Sequence, residues 1–145
     1  MIYLKEKGTS LSMKIIDYEF PSITSKFDAE WLIIEVQAED STYNWSCRGP
    51  ILRTSELIYL RDWLIAISVD QKTAVKTISF TEDELSFEFS NGLLAIVFEY
   101  SFHPLGEKYD WESGVPYKLC FKLDNSEIKS IVNSLTACIQ QYNRQ

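Results

Sequence analysis

Between Glu30 and Ala38 the side chains alternate with a period of two. Leu32, Ile34, Val36 and Ala38 fall on one side, and Trp31, Ile33, Glu35 and Gln37 on the other. This is the pleat of a strand with one face turned to a core, and it commits this part of the chain to a sheet. Asp40-Ser41-Thr42 reverses the direction. Tyr43, Trp45 and Cys47 then alternate with Asn44, Ser46 and Arg48 in a short partner strand, which Gly49-Pro50 is expected to end. A second hairpin is marked by Asn91-Gly92, since both residues tolerate the positive φ of a type I′ turn. It joins a strand from Leu85 to Phe89 to one from Leu93 to Phe102, whose apolar character on nearly both faces predicts a central place in its sheet.

Around these hairpins the remaining elements follow. Met13 to Phe20 reads as a first strand stopped by Pro21, and residues 1–12 as a polar N-terminal lead-in. Thr54 or Ser55 is expected to cap a helix running to about Ser68, with Leu57, Leu60, Leu64 and Ile67 on one face. Lys72 to Phe80 reads as a weaker strand, and Tyr117, Leu119, Phe121 and Leu123 alternate in a last one. Asp124 or Ser126 begins a final helix with Glu127 in its first turn and an apolar stripe through Ile128, Ile131, Val132, Leu135, Ile139 and Tyr142. The predicted order is βββ-α-ββββ-α. This is an α+β domain, with a mainly antiparallel sheet of about seven strands and two helices on one side. No internal repeat or linker divides it, so 13–143 is expected to be one domain.

The composition limits what such a domain can do. Hydrophobic residues make up 46% of the chain, ample for a packed core, and the formal net charge is −7. That sign opposes nucleic acid, whose phosphates would be repelled, and favours a basic protein partner. Cys47, Cys120 and Cys138 are odd in number and widely spaced, without the pairing of a disulfide framework or a CxxC site. They are expected to be small packed residues in a reducing compartment. With no apolar leader segment and no run near the roughly eighteen residues of a membrane span, the expected location is cytoplasmic, with no membrane partner.

Candidate chemistry is sparse. The single histidine, His103, lacks a neighbouring nucleophile or second ligand and reads as a surface loop residue rather than a general base. Glu82, Asp83 and Glu84 form an acidic cluster in a turn, where carboxylates are ordinarily solvated and add only to a long-range negative field. Trp31, Trp45 and Trp63 lie on regular elements as core or near-core residues. No catalytic residue, metal site or cofactor is expected. The segment from His103 to Pro116 is the most function-like: a long connection combining aromatics with acids. Tyr109 and Trp111 could anchor a partner, flanked by Glu107, Asp110 and Glu112 for charge complementarity. Equally, Trp111 could fold inward to cap the sheet edge.

Several short patterns together resemble the WapI family of bacterial immunity proteins. They are Tyr18-Glu19-Phe20-Pro21, the strand opening Asp28-x-x-Trp31-Leu32, and Trp45-Ser46 in its hairpin partner. The likeness continues through the helix Thr54-Ser55-Glu56-Leu57-x-x-Leu60-x-x-Trp63-Leu64, the strand Glu84-Leu85-Ser86-Phe87-Glu88, the strand end Phe102-His103-Pro104 and the C-terminal amphipathic helix. It covers roughly residues 13–142, and none of its motifs is a catalytic fingerprint. The resemblance implies a cytoplasmic protein that binds the C-terminal toxin domain of a cell-wall-associated or contact-delivered polymorphic toxin. In the namesake system that toxin is a nuclease acting on tRNA, which fits an acidic inhibitor. Two other classes stay open at the level of sequence: a secretion-chaperone-like dimer, and a hydrolase built on two carboxylates in a concave pocket.

Overall fold

The computed structural model describes residues 1–20, 26–70 and 76–143, and the side chains of all of these except 26 and 27. Within them the chain forms two antiparallel four-stranded sheets, each a simple meander followed by a helix. The first comprises β1 (Ile2–Glu6), β2 (Thr9–Tyr18), β3 (Trp31–Glu39) and β4 (Asn44–Arg53), with a one-turn helix α1 (Lys26–Ala29) before β3. Helix α2 (Thr54–Val69) leads to the second sheet, β5 (Thr77–Ser79), β6 (Leu85–Ser90), β7 (Leu93–Phe98) and β8 (Tyr117–Lys122), and α3 (Asn125–Gln141) closes the chain. The topology therefore repeats a four-strand-plus-helix unit that leaves no trace as a sequence repeat.

Three expectations are corrected here. The single sheet of about seven strands is two sheets with eight strands among the described residues. The first twelve residues are no lead-in: Ile2–Glu6 pairs with Thr9–Met13 through a turn at Lys7-Gly8, with φ of 38° and 84°. Ile2, Leu4, Leu11 and Met13 are buried, so this hairpin is part of the core. Gly49-Pro50 does not end β4. A register shift leaves Ile51 without an opposite partner between the pairs Ile33–Pro50 and Leu32–Leu52, and β4 is an edge strand. An edge position and a bulge are where a strand tolerates a residue with no N–H to donate. Pro21 and the beginning of the expected strand at Lys72 lie outside the described residues.

Other expectations hold. Asn91 and Gly92 take φ of 53° and 78° between Ser90 and Leu93, and β7 lies inside its sheet between β6 and β8. Asp124 caps α3, accepting from the Glu127 N–H at 2.8 Å, while Glu127 accepts from the Asp124 N–H at 3.3 Å. Such reciprocal bonds satisfy two otherwise exposed donors of a first turn. Ile128, Ile131 and Leu135 are buried from α3, and Leu57, Leu60, Leu64 and Ile67 from α2. These stripes and the inner residues of both sheets form one continuous apolar cluster. Fully burying each such side chain contributes about 1.5–3 kcal/mol, so the two units stabilise each other.

Helix α2 begins differently from expectation. Arg53, not Thr54 or Ser55, occupies the cap position, and its N–H donates to Glu56 Oε1 at 2.9 Å. From the preceding segment Glu30 Oε1 accepts from Thr54 Oγ1 at 3.2 Å and from the Ser55 N–H at 3.3 Å. Burial opposes ionisation of Glu30, but the bonds from Ser55 and Arg53, with the Arg53 charge, hold its carboxyl below the ordinary range. Two glutamates from different places in the sequence thus meet the amides and positive dipole end of one helix.

Candidate acidic and aromatic surface

The pairing of β6 with β7 determines what surrounds the long loop. Leu85 lies opposite Phe98, and the ladder extends one step, with the Glu99 N–H donating to the Glu84 carbonyl at 3.0 Å. The turn carrying Glu82, Asp83 and Glu84 is thereby fixed beside the start of the segment after β7. A second tether holds the same turn from below. The Thr81 N–H and hydroxyl donate to Glu56 Oε2 at 2.6 and 3.2 Å, joining the turn to the start of α2.

After β7 the chain enters a short 3-10 turn, Tyr100–Phe102, with Tyr100 at a φ of 52°. Phe102 is buried, and its ring lies 3.4 Å from where a Cβ on Gly49 would stand, so this turn packs on β4 at Gly49. The Phe102 carbonyl accepts from Trp45 Nε1 at 3.1 Å. Trp45 also meets Phe98 and Tyr117 edge-on, with ring centroids 5.4 and 5.7 Å apart. Trp31 and Trp63 are buried, so all three tryptophans on regular elements serve packing, Trp45 with part of its surface exposed.

His103 is corrected from surface residue to buried brace, with 7% of its surface exposed. Its Nδ1 accepts from the Leu105 N–H at 3.1 Å, and Nε2 lies 3.1 Å from the Val115 carbonyl. A neutral ring with its proton on Nε2 satisfies both contacts, and it ties the beginning of the loop to its end. The Tyr109 ring lies against it with centroids 4.3 Å apart, and the Tyr109 hydroxyl donates to the Gly114 carbonyl at 3.3 Å. Both groups are spoken for by the fold.

The five residues singled out in the sequence separate by exposure. Tyr109 is buried, 5% exposed, and underlies the loop; it offers no anchor surface. Its hydroxyl pKa is pushed up by burial, with Glu99 adding to the effect. Asp110 is exposed but engaged: Oδ1 accepts from the Glu112 N–H at 3.0 Å, and Oδ2 from the Ser113 hydroxyl. The Ser113 hydroxyl, followed by the Glu112 and Ser113 amides, holds the Asp110 carboxyl below its ordinary range. Glu107 and Glu112 are exposed. Trp111, 68% exposed, does not fold inward.

Trp111 and Tyr100 approach with ring centroids 5.0 Å apart. Together with Glu82, Asp83 and Glu84 they line an open cavity of about 260 Å³. In the sequence the acidic turn and the aromatic loop stand apart, and Tyr100 carries no signal of its own. Counting back from the Asn91-Gly92 turn would have set Glu84 against Glu99 and brought them together. The Glu84 carboxyl is only partly solvated. Burial first, then repulsion from Glu82 and Asp83, raises its pKa against hydrogen bonds from its own amide and from Ser101, and Oε2 alone lies out of solvent without a hydrogen-bond partner.

The cysteines divide as well. Cys120 is exposed, on the outward face of β8 between Lys118 and Lys122, whereas Cys47 and Cys138 are half-buried. Burial pushes the Cys47 thiol up to about 12, far from a reactive thiolate. Among the described residues no group of three or more histidine, cysteine or acidic side chains is arranged to hold a metal ion, and no helix is long and apolar enough to cross a membrane.

A profile of the immunity protein WapI-like family matches residues 1–143. The chain belongs to that family. The match takes in the first hairpin, consistent with the burial of Ile2 and Leu4 in the common core. No curated protein sequence matches this immunity-family chain. Among solved structures it is similar to a chain in the structure of the plant transcriptional regulator PBF-2, at 8% identity and a TM-score of 0.50, over 95% of this chain and 79% of that one. At that identity the likeness describes the fold alone.

Proposed function

We propose that this WapI-like immunity protein binds and neutralises the C-terminal toxin domain of a cell-wall-associated or contact-delivered polymorphic toxin, in the cytoplasm of the producing cell. A basic, nuclease-type toxin domain is the expected target. Family membership supplies the class of activity. The observation that carries the reading to a surface is Trp111, displayed from an internally braced loop among carboxylates of two segments. Tryptophan on a rigid support is the residue type that dominates interface energetics, because little side-chain entropy is lost when it is covered. The net charge of −7 would steer a basic domain toward the protein, raising association by about 10–10³-fold. Contact around Trp111 would then hold the complex while the bulk of the protein blocks the toxin's substrate path.

A carboxylate hydrolase draws on one specific observation, the raised pKa of Glu84 beside two further acids. Such enzymes flank a scissile bond with carboxyls from opposite sides, about 5–9.5 Å apart. Glu82, Asp83 and Glu84 are consecutive residues of one turn, so binding fits them better.

The test is co-expression with the toxin domain encoded immediately upstream, followed by co-purification and growth rescue. A stable complex with restored growth is the expected result. Persistent toxicity and no complex, with both proteins folded, would remove that domain as the partner. Loss of rescue in Glu84→Gln with an undiminished complex would favour the hydrolase.

A further inference from the structure

Building on the immunity reading, we propose that the cavity between the Glu82–Glu84 turn and the Tyr100–Trp111 pair is a receptor for one arginine side chain of the toxin domain. Its walls differ in chemistry. One is made of two aromatic rings, Tyr100 and Trp111, in mutual contact, with the indole largely open to solvent. The other consists of Glu82 and Asp83, both exposed, and Glu84, which is half-buried. An aromatic face attracts a cation through its quadrupole when the charge lies within about 6 Å of the ring centroid. Carboxylates beside that face add a direct ion pair. A guanidinium suits both together, since it is planar, weakly hydrated, stacks on aromatic faces and donates in a fork that matches a carboxylate. An ammonium would keep more of its water and stack poorly.

A second observation points to the same ligand. Burial and the neighbouring charges of Glu82 and Asp83 disfavour ionisation of Glu84, against hydrogen bonds from its own amide and from Ser101. Three consecutive carboxyls therefore crowd one side of the cavity with no cation among them. A guanidinium seated there supplies the missing positive charge, so the repulsion present before binding is relieved by binding. Across the described surface four acids are matched by cations: Glu35 by Arg48 and Lys14, Glu30 by Arg53, Asp62 by Arg61 and Glu88 by Lys118. None of the five ion pairs involves Glu82, Asp83 or Glu84.

The walls are also held in place. Thr81 is bonded to Glu56 on one side, and Tyr109 lies under Tyr100 on the other with ring centroids 5.8 Å apart. A preformed pocket loses little entropy when filled.

The first arm of the test needs no toxin. Isotopically labelled protein is titrated with N-acetyl-arginine methylamide while the indole N–H resonance of Trp111 is followed, with the neutral citrulline analogue as comparator. The arginine derivative is expected to shift that resonance saturably and the citrulline derivative not to. The triple variant Glu82→Gln, Asp83→Gln, Glu84→Gln should weaken arginine binding at least fivefold. Equal shifts from the two probes, or an unweakened triple variant, would overturn the proposal. In the second arm Trp111→Ala and the triple variant should each lower affinity for the toxin domain at least tenfold. Combined, they should lose little more than either alone, because both act on one side chain. Toxin affinities within twofold of wild type would overturn the proposal while leaving the immunity reading standing. A wild-type protein that does not bind the tested toxin domain but still discriminates arginine from citrulline would remove that domain as the partner and keep the pocket.

Discussion

Glu56 is the group whose loss should be felt most widely, and its effect can be worked from its partners. It is 5% exposed and accepts from the Arg53 N–H at 2.9 Å, the Thr81 N–H at 2.6 Å and the Thr81 hydroxyl at 3.2 Å. Glu56→Ala removes all three acceptor contacts. Thr81 is an exposed residue, so its hydroxyl can turn to water, but two backbone amides lose a charged acceptor. Hydrogen bonds to charged groups contribute about 1.5–3 kcal/mol each, giving an expected loss of about 3–6 kcal/mol for the two amides. For a chain of this length, that corresponds to a fall in Tm of about 10–20 °C. Glu56→Gln preserves volume but turns an NH₂ toward one of the two amides, and should lose about half as much. Thr81→Val removes only the hydroxyl contact and should stay within about 1 kcal/mol. Urea and thermal unfolding measure all three, and hydrogen exchange should show the loss of protection spreading to both the α2 start and the turn at Thr81. A Glu56→Ala protein within about 1 kcal/mol of wild type would refute the assignment of this carboxylate as the joint between the two units.

Three further outcomes follow from the site. Because the folded pKa of Glu84 is raised above the ordinary glutamate value of 4.5, the unfolded chain ionises first as pH rises, so wild type loses stability from about pH 4.5 up through the raised value. Glu84→Gln lacks that titration and should be more stable than wild type at pH 7, with the advantage shrinking toward pH 4; an unchanged difference across the range would contradict the buried carboxylate. A Cβ on Gly114 would lie 2.2 Å from the Asp110 carbonyl oxygen and 2.5 Å from the Tyr109 ring, so Gly114→Ala should disorder the loop and reduce toxin binding, as read by the Trp111 resonance and by affinity. Trp111→Ala with Glu107→Lys and Glu112→Lys should weaken protection with unfolding free energy changed by less than about 1 kcal/mol. Asp110 is left intact in that variant because its carboxylate closes the turn at Glu112 and Ser113. Undiminished protection would remove the loop as the binding surface.

What the sequence revealed and what it hid have different physical origins. Helix α3 was legible because its cap, first-turn acid and apolar stripe lie within one continuous segment, and β6–β7 because Asn-Gly is a strong turn signal. The β1–β2 hairpin was hidden by its turn, since lysine at Lys7 gives no cue for positive φ. The run through Gly49-Pro50 looked like a break because neither the edge position nor the bulge at Ile51 is local information. Cys120 shows a different lapse. Its alternation with Leu119 and Phe121 placed it outward, while its residue type argued for packing, and the alternation was the better guide. In the loop, composition found Trp111 but could not separate it from Tyr109. Burial there depends on His103 joining Leu105 to Val115, a closure seen only in three dimensions. The acidic turn and Tyr100 were missed as partners of Trp111 because each looked ordinary alone.

On the proposed reading, this chain neutralises a toxin domain through the surface around Trp111. The most direct measurement is growth rescue and co-purification with the toxin domain encoded immediately upstream, comparing wild type, Trp111→Ala and a remote surface control, Lys129→Ala on α3. Full rescue and a stable complex are expected for wild type and the control, with at least tenfold weaker binding and impaired rescue for Trp111→Ala. Equal rescue and equal affinity for all three would contradict the surface, and no rescue by a folded wild-type protein would contradict the neutralisation of that toxin.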